Sequence, residues 1–394
     1  MKELLDKYTW ISYNIDLREI PFTFWFDLGQ CVSKCDHIKQ IPLLPEIGQE
    51  LHLVYLAKGA AATTAIEGNT LGEEKALDII KGKANVSDSE QYQKREIENI
   101  VAACNVIATA LGEGKDVKID IETLCEFNKI ILSGDVPRDE SAVPGEIRHH
   151  SVVVGNVYRA PDAQDVRPLL EQFCDWIATL GDEANEMENP IGEQSIAILR
   201  AISAHLYLIW IHPFGDGNGR LARLVEFTIL LKSGIPSIAS HLLSNHYNAT
   251  RTLYYQHLGR AKTEGPSHTF FSYAVKGFQD NLKTVIGTII DQVIYISWQQ
   301  YVYEKFREMP PSEPAKRQRD VVLEISQKFF EKKEAVTLNE IKKAAASVYV
   351  KHDKTMKAFT RDFNILVKSE FIEQNDVGYF PAFAPIFQRR PFSK

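Results

Sequence analysis

The sequence predicts a mainly α-helical protein of more than one domain, and three observations support this. Apolar residues recur at spacings of three and four along most segments, which is the period of a helix with one buried face. A representative run is Leu170, Phe173, Cys174 and Ile177. Strand-like patterns are confined mainly to residues 151–158 and 371–380. The chain has 394 residues, 44% of them hydrophobic, which is more than one hydrophobic core usually serves.

Composition narrows the class of protein. The formal net charge of -7 argues against a protein built mainly to coat nucleic acid, because phosphate neutralisation needs a concentrated Lys/Arg surface. The five cysteines show no spacing typical of zinc sites or disulfide frameworks, so we expect reduced thiols. For Cys31 and Cys35, one helical turn apart, packing is favoured over metal binding. The start of the chain lacks a signal-peptide pattern, and no apolar stretch approaches about twenty residues. We therefore expect a cytoplasmic protein without membrane contact.

The chain divides at a proline-rich stretch. Residues 307–316 hold three prolines and several charges, a composition that resists helix and marks a linker. We therefore expect five regions in chain order. They are an N-terminal helical region at 1–110, a core at 111–265, a helical extension at 266–306, the linker at 307–316 and a separate domain at 317–394.

The last domain has the outline of a winged helix. Helical patterns are predicted at 317–330, 337–346 and 353–368, and residues 371–380 have the apolar, Gly-turned pattern of a hairpin. Three helices followed by a hairpin are typical of that fold. Five lysines in this domain leave DNA binding open as an alternative to protein recognition or packing. These lysines are Lys342, Lys343, Lys351, Lys354 and Lys357.

Residues 211–223, with the sequence IHPFGDGNGRLAR, carry the strongest chemical signal. A helix predicted at 193–211 should end at His212, because Pro213 disfavours helical geometry in the residue before it. The three glycines of this stretch let backbone N–H groups converge on an anion. A second helix predicted from Asn218 adds the positive end of its dipole. These features together predict a polyphosphate site.

The side chains of the loop complete the predicted site. Arg220 and Arg223 share one helix face. Asp216 lies in an otherwise electropositive loop, which favours magnesium between its carboxylate and the phosphates. His212 has the place of a general base. Taken singly, these residues are ordinary turn, cap or surface residues, but their conjunction within twelve positions favours a site.

The run HPFGDGNGRLAR resembles the defining motif of the Fic family. The resemblance implies a Fic-type helical bundle with a short β-hairpin flap. It also implies transfer of AMP from ATP to a Ser, Thr or Tyr hydroxyl of a target protein. His212 would be the catalytic base, Asp216 would hold Mg²⁺, and Arg223 would meet the γ-phosphate. The nucleotide-binding residues would be Gly217, Asn218, Gly219, Arg220, Leu221, Ala222 and Arg223.

An upstream segment resembles the inhibitory motif of the same family. Thr63 is followed four residues later by Glu67 and then by Gly68. The resemblance implies that Glu67 pairs with Arg223 and blocks the γ-phosphate, so that Glu67 must be displaced for productive ATP binding. The alternative is an ordinary helix end with Gly68 as its cap.

Two further segments resemble parts of the family's binding surface. Residues 144–148, 152–155 and 158–161 resemble the flap that holds the target segment, where an extended peptide can add as a strand. The flap residues singled out are Arg148, Val152, Val153, Val154 and Gly155, with a turn at Gly155-Asn156. The alternative is a plain surface hairpin. Tyr255 resembles an adenine-flanking residue, although core packing is an alternative and Thr250 replaces the usual Asn.

Two other functions stay open at this stage. The same site could remove AMP from a modified protein, with Glu67 positioning a water molecule. Alternatively, the chain could be a DNA-binding regulator in which the catalytic domain serves as a nucleotide sensor. The sequence also leaves self-modification and a homodimer open.

Overall fold

A computed structural model describes residues 2–15, 17–134, 142–155, 158–182, 192–265 and 269–387. Within these residues most of the chain is helical, and the strands form two small hairpins. The predicted mainly α fold class is therefore confirmed. The chain divides into two compact units, 1–286 and 287–394.

The first unit is a helical bundle with one short hairpin. Its helices are α1 Lys2–Lys7, α2 Phe22–Gln40, α3 Pro45–Ile66, α4 Glu73–Ile80, α5 Gln91–Gly112, α6 Ile121–Ile131, α7 Ala163–Thr179, α8 Glu193–Ile211, α9 Asn218–Lys232, α10 Ser237–Ser240, α11 Leu242–Ala249 and α12 Arg251–Glu264. Short 3-10 turns lie at Leu17–Glu19 and Asp88–Glu90. Strands β1 Val153–Val154 and β2 Tyr158–Arg159 pair antiparallel. A further helix, α13 Phe270–Glu308, contains the division between the units.

Helix α8 forms the centre of the first unit. It packs extensively against α9, and α3, α5 and α6 also pack on α9. By length and composition α8 would pass as a membrane span, contrary to the expectation that no stretch comes close. However, 83% of that window is buried inside the protein. This burial is what the central helix of a folded core requires.

Small residues allow α3 to approach α11 closely. A Cβ at Gly59 would overlap the imidazole of His241, and three alanines follow Gly59 along α3. Because helices can approach closely only where side chains are small, this stretch fixes the position of α3. The end of α3, with Thr63 and Glu67, is thereby brought to the start of α9.

The second unit contains the predicted helices and hairpin. Its elements after α13 are α14 Glu313–Lys332, α15 Leu338–Lys351, a 3-10 turn Met356–Ala358, α16 Phe359–Lys368, β3 Ile372–Gln374, β4 Tyr379–Pro381 and α17 Ala384–Phe387. The predicted capping box is present, since Thr337 N donates to Glu340 Oε2 at 2.9 Å. The name winged helix stays a prediction.

The predicted linker at 307–316 is too long. Helix α13 continues to Glu308 and α14 begins at Glu313, so only residues 309–312 lie outside a helix. Pro314 lies in the first turn of α14, where its missing N–H costs no hydrogen bond. Ser312 caps the same helix by accepting from Ala315 N at 3.3 Å. Three prolines therefore mark a tight connection between helices.

Candidate active site

His212 ends helix α8 in a strained backbone conformation. Its φ is 50°, in the left-handed region, and its N–H donates to Leu208 O at 2.9 Å. A non-glycine residue there costs energy that surrounding contacts must offset. One such contact comes from Arg148, whose Nε donates to His212 O at 2.7 Å. The strain turns the chain sharply out of α8 into the glycine-rich loop.

The imidazole of His212 is set up as a neutral base. Its Nδ1 lies 3.3 Å from Ile209 O. Because a carbonyl oxygen can only accept, the contact requires the proton on Nδ1 and leaves the Nε2 lone pair available. Burial lowers the pKa of His212 to about 4. The side chain is therefore neutral at pH 7 and able to accept a proton.

Asn218 closes the loop. Its Oδ1 accepts from Phe214 N at 2.9 Å and its Nδ2 donates to Phe214 O at 2.8 Å. The amide is thus committed to the fold, and the side chains of Leu221 and Ala222 are fully buried. Of these three predicted nucleotide-binding residues, Asn218 is the one whose backbone N–H suits phosphate, since it lies in the first turn, where N–H groups lack partners within the helix. The N–H of Leu221 donates to Gly217 O at 2.9 Å.

Arg223 is held by Thr63 of α3 and by Glu67, the residue that caps the C-terminus of α3. Its Nε donates to Thr63 Oγ1 at 2.5 Å, and its Nη2 donates to Thr63 O at 2.9 Å and to Glu67 Oε1 at 2.6 Å. Burial disfavours the charge of Arg223, but the Glu67 carboxylate outweighs it and raises the pKa. The predicted contact between Glu67 and Arg223 is present. Gly68 follows with φ 101°, as its predicted place at a helix end requires.

The Glu67 carboxylate lies against the start of α9. A Cβ at Gly219 would overlap Glu67 Oε1, so the carboxylate occupies space that only a glycine leaves open. A negative oxygen at the first turn of a helix is stabilised by the helix dipole. Glu67 therefore fills the place where the sequence predicts a phosphate.

Arg220 is buried between two carboxylates. Its Nη1 donates to Glu96 Oε1 at 3.2 Å and its Nη2 to Asp216 Oδ1 at 3.3 Å. Asp216 Oδ1 also accepts from Gly217 N at 2.5 Å. Among the described residues no group of three His, Cys, Asp or Glu could hold a metal. Asp216, the predicted magnesium ligand, contributes one carboxylate beside the loop, and carboxylate oxygen is the donor type that this ion prefers.

The hairpin presents an exposed face to solvent, whereas Arg148, which precedes the hairpin in the chain, is buried beneath it. Val153 and Val154 are 59% and 37% exposed. Arg148 is buried, and its Nη1 and Nη2 donate to His150 O at 2.7 Å and Pro161 O at 2.6 Å. Its guanidinium thus ties the hairpin to the loop after α8. The Arg148 side chain therefore supports the flap from within, because its donors are committed to backbone carbonyls. Target docking by the flap stays a prediction.

The remaining predicted flap residues surround that face. Val152 O accepts from Ala160 N at 3.3 Å, and Gly155 has φ 57°, as a turn requires. Asn156, predicted in the turn, lies outside the described residues. The other expected binding residue, Tyr255, is 49% exposed. The core position belongs to its neighbour Tyr254, whose hydroxyl lies 2.9 Å from His205 Nε2.

Sequence reasoning missed Glu96. This residue has no exposed surface and contacts Arg220, Asn69 and Tyr92. A signal was available, because Glu96 shares its helix face with the apolar residues Ile100 and Cys104. A carboxylate on a buried face almost always has a charged or hydrogen-bonding partner.

The fold and the site define a helical domain built around a glycine-rich loop between two helices. Residues 118–230 match the family described as the Fic/DOC family. The chain therefore carries a Fic domain. The protein adenylyltransferase fic-1 of Caenorhabditis briggsae is 28% identical over 253 residues, or 64% of this chain and 45% of that protein. The protein adenylyltransferase Fic of Drosophila willistoni is 30% identical over 176 residues, or 45% of this chain and 32% of that protein. The chain thus spans less than half the length of these relatives.

Solved structures agree on the fold. A Fic family protein from Desulfovibrio desulfuricans G20 matches with a TM-score of 0.52 at 19% identity, covering 93% of this chain and 94% of that chain. Fic-1 from Caenorhabditis elegans matches with a TM-score of 0.51 at 23% identity, covering 66% and 71% respectively. At these identities the likeness shows the fold alone, and it confirms the predicted Fic-type bundle.

Proposed function

We propose that this chain is an enzyme that transfers AMP from ATP to a hydroxyl side chain of a protein. The observation that carries the proposal is the combination of two features in one loop. His212, neutral at pH 7, precedes the glycine-rich turn, and in the helix after that turn Arg223 binds the Glu67 carboxylate. A site that attracts one anion so strongly suits a triphosphate. The relatives named protein adenylyltransferase support the same chemistry.

The proposed reaction is an in-line displacement at the α-phosphorus. The target hydroxyl oxygen forms a bond to phosphorus, its proton passes to His212 Nε2, and the bond to the β-phosphate breaks to release pyrophosphate. General-base help of this kind is worth about 10²- to 10⁴-fold. Arg220, Arg223 and the first-turn N–H groups of α9 would hold the phosphates in line.

Magnesium fits beside this loop. Asp216 would hold it, and the ion would neutralise phosphate charge. Because Asp216 Oδ1 now accepts from Arg220, the carboxylate must share or exchange that contact when the ion binds. Arg220 then keeps Glu96 as its partner.

Glu67 would act as an inhibitor. Its carboxylate contacts Arg223 at 2.6 Å and lies over Gly219, so the γ-phosphate and Glu67 compete for the same positive charge. The Glu67 side chain is 28% exposed, which leaves it a route to rotate into solvent. ATP would then bind productively only after Glu67 moves.

The target would bind along the hairpin. The exposed Val153 and Val154 of β1 offer a short edge to which an extended segment can add through backbone hydrogen bonds. This mode places few demands on sequence, so serine, threonine and tyrosine hydroxyls are all candidates. Self-modification follows the same chemistry when the acceptor belongs to a copy of this chain.

The test uses ATP labelled on its α-phosphate, with magnesium, and the Glu67→Gly variant. We expect label on protein and an added mass equal to AMP. Introducing His212→Ala into the same variant should reduce labelling by at least about 10²-fold. Labelling that survives this change, or a different added mass, contradicts the proposal.

A second candidate is removal of AMP by the same site. Glu67 is a carboxylate held close enough to His212 to act on its pKa, so it could position a water molecule for hydrolysis. Incubation of AMP-bearing protein with wild type and with Glu67→Gly separates the two functions. Removal needs Glu67, whereas transfer is blocked by it.

A further inference from the structure

A carboxylate with no part in the proposed chemistry is buried beside the phosphate loop. Glu96 lies on α5 with no exposed surface. Its Oε1 accepts from Arg220 Nη1 at 3.2 Å and from the Tyr92 hydroxyl at 2.8 Å. Its Oε2 accepts from Asn69 Nδ2 at 2.9 Å. A carboxylate is costly to bury unless charged or hydrogen-bonding partners compensate.

On one side, Glu96 fixes Arg220. The guanidinium is 2% exposed and has two carboxylate partners, Glu96 and Asp216. If Asp216 turns to magnesium, Glu96 keeps the guanidinium oriented and compensated. Within the described part of the chain, Arg220 Nε is buried without a hydrogen-bond partner. An unpaired buried donor is unfavourable until an oxygen reaches it.

On the other side, Glu96 anchors the turn that carries Glu67. Asn69 follows Glu67 by two residues, and its backbone N–H donates to Thr64 O at 3.1 Å. Its Nδ2 donates to Gln93 O at 2.8 Å as well as to Glu96. The turn after α3 is therefore fixed to α5.

We propose that Glu96 is a positioning residue with two tasks: it holds Arg220 for the nucleotide phosphates, and through Asn69 it holds Glu67 in its inhibitory place. The inference rests on the proposed nucleotide site. It implies that ATP displaces the Glu67 side chain by rotation while the turn stays anchored. Loss of the anchor should therefore weaken inhibition, and loss of the contact to Arg220 should weaken ATP binding.

The two tasks have effects of opposite sign, which calorimetric measurement of ATP binding with magnesium can separate. In the Glu67→Gly variant, Glu96→Gln should weaken ATP binding about 10- to 100-fold, the range for a hydrogen bond to a charged group. Glu96→Asp, which keeps the charge, should recover part of that loss. The control Glu98→Gln changes an exposed glutamate on the same helix and should leave affinity unchanged.

Asn69→Ala tests the anchor alone. With Glu67 present, it should raise ATP affinity severalfold, an effect that general destabilisation does not produce. In the Glu67→Gly variant it should not raise ATP affinity, because there is no inhibitory carboxylate left to release. Thermal unfolding checks that every variant is folded. If Glu96→Gln is unfolded, the ATP affinity of Glu96→Asp is compared with that of Glu98→Gln to test the contact to Arg220.

The inference is overturned if Glu96→Gln, or Glu96→Asp in its place, binds ATP as tightly as its parent. It is also overturned if Asn69→Ala leaves the affinity of the Glu67-containing chain unchanged. Both tests measure only ATP affinity and do not depend on AMP transfer. A chain that binds ATP as expected but labels no protein refutes AMP transfer and leaves the role of Glu96 standing.

Discussion

Two arginine–carboxylate pairs, Arg317–Asp362 in the second compact unit and Arg223–Glu67 in the first, differ in how their carboxylates are held. In the second unit, Arg317 Nε donates to Asp362 Oδ2 at 2.7 Å, and Asp362 has no exposed surface. In the first unit, Arg223 is equally buried, but the Glu67 side chain is 28% exposed. The same chemistry is thus enclosed in the Arg317–Asp362 pair and open to solvent in the Arg223–Glu67 pair.

The difference follows from where each carboxylate lies. Asp362 sits inside α16 and also accepts from Gln318 Nε2 at 3.2 Å and from the Tyr349 hydroxyl at 3.0 Å. Glu67 is the cap residue after α3, at the surface end of a helix. A carboxylate surrounded by donors serves the fold. A carboxylate at a helix end can leave, and a ligand phosphate can take its place.

The largest effect should come from breaking the enclosed pair. Asp362→Ala leaves the Arg317 charge buried without its partner, which costs about 3–5 kcal/mol. Thermal or denaturant unfolding should show this loss, whereas Glu373→Ala, at an exposed site on β3, should change the free energy of unfolding by less than about 0.5 kcal/mol. Equal effects of the two changes would show that the buried pair does not stabilise the second unit.

Breaking the open pair should change activity. Glu67→Gly removes the carboxylate that competes with phosphate, so labelling from ATP should rise about 10- to 100-fold. Glu113→Gly is a matched control, because Glu113 is also a helix cap residue followed by a glycine with positive φ. Its partner is the exposed Lys115. If Glu113→Gly raised labelling as much, the effect would not belong to Glu67.

A methyl group at Gly219 tests whether ATP phosphate binds at the place that the Glu67 carboxylate occupies. Its Cβ would overlap Glu67 Oε1, so it fills the place that carboxylate and phosphate share. In the Glu67→Gly variant, we expect Gly219→Ala to weaken ATP binding about 10-fold, a loss of about 1.4 kcal/mol. Gly259→Ala, on the open surface of α12, is the control. Unchanged affinity in Gly219→Ala would place the phosphate elsewhere.

The smallest effect concerns pH. Burial lowers the pKa of His212 to about 4, and a base works in its unprotonated form. Labelling by Glu67→Gly should therefore change less than about twofold between pH 8 and pH 6, and fall as the pH approaches 4. A half-maximal rate near pH 6.5, the ordinary pKa of histidine, would contradict a half-buried base whose pKa is lowered.

Much of the fold could be predicted because its signals are local. Pro213 ends α8 at Ile211, and α9 begins at Asn218, both as predicted. The capping box at Thr337 also depends only on neighbouring residues. The linker prediction failed because composition does not reveal that Pro314 falls in the first turn of α14, where proline is tolerated.

The site was predictable only in part. The loop residues are contiguous, so their convergence on an anion follows from the sequence. Glu96 lies 124 positions from Arg220, and only packing brings them together. The supporting role of Arg148 could not be predicted, because sequence position alone cannot distinguish an exposed guanidinium from one buried against three carbonyl oxygens.

The central claim is that the Glu67 carboxylate binds Arg223 at the position that the γ-phosphate of ATP would take. The most direct test compares calorimetric ATP affinities, with magnesium, of wild type, Glu67→Gly and Glu67→Gly with Arg223→Ala. We expect Glu67→Gly to bind ATP about 10- to 100-fold more tightly than wild type, and Arg223→Ala to abolish that gain. Equal affinities of wild type and Glu67→Gly would contradict the claim.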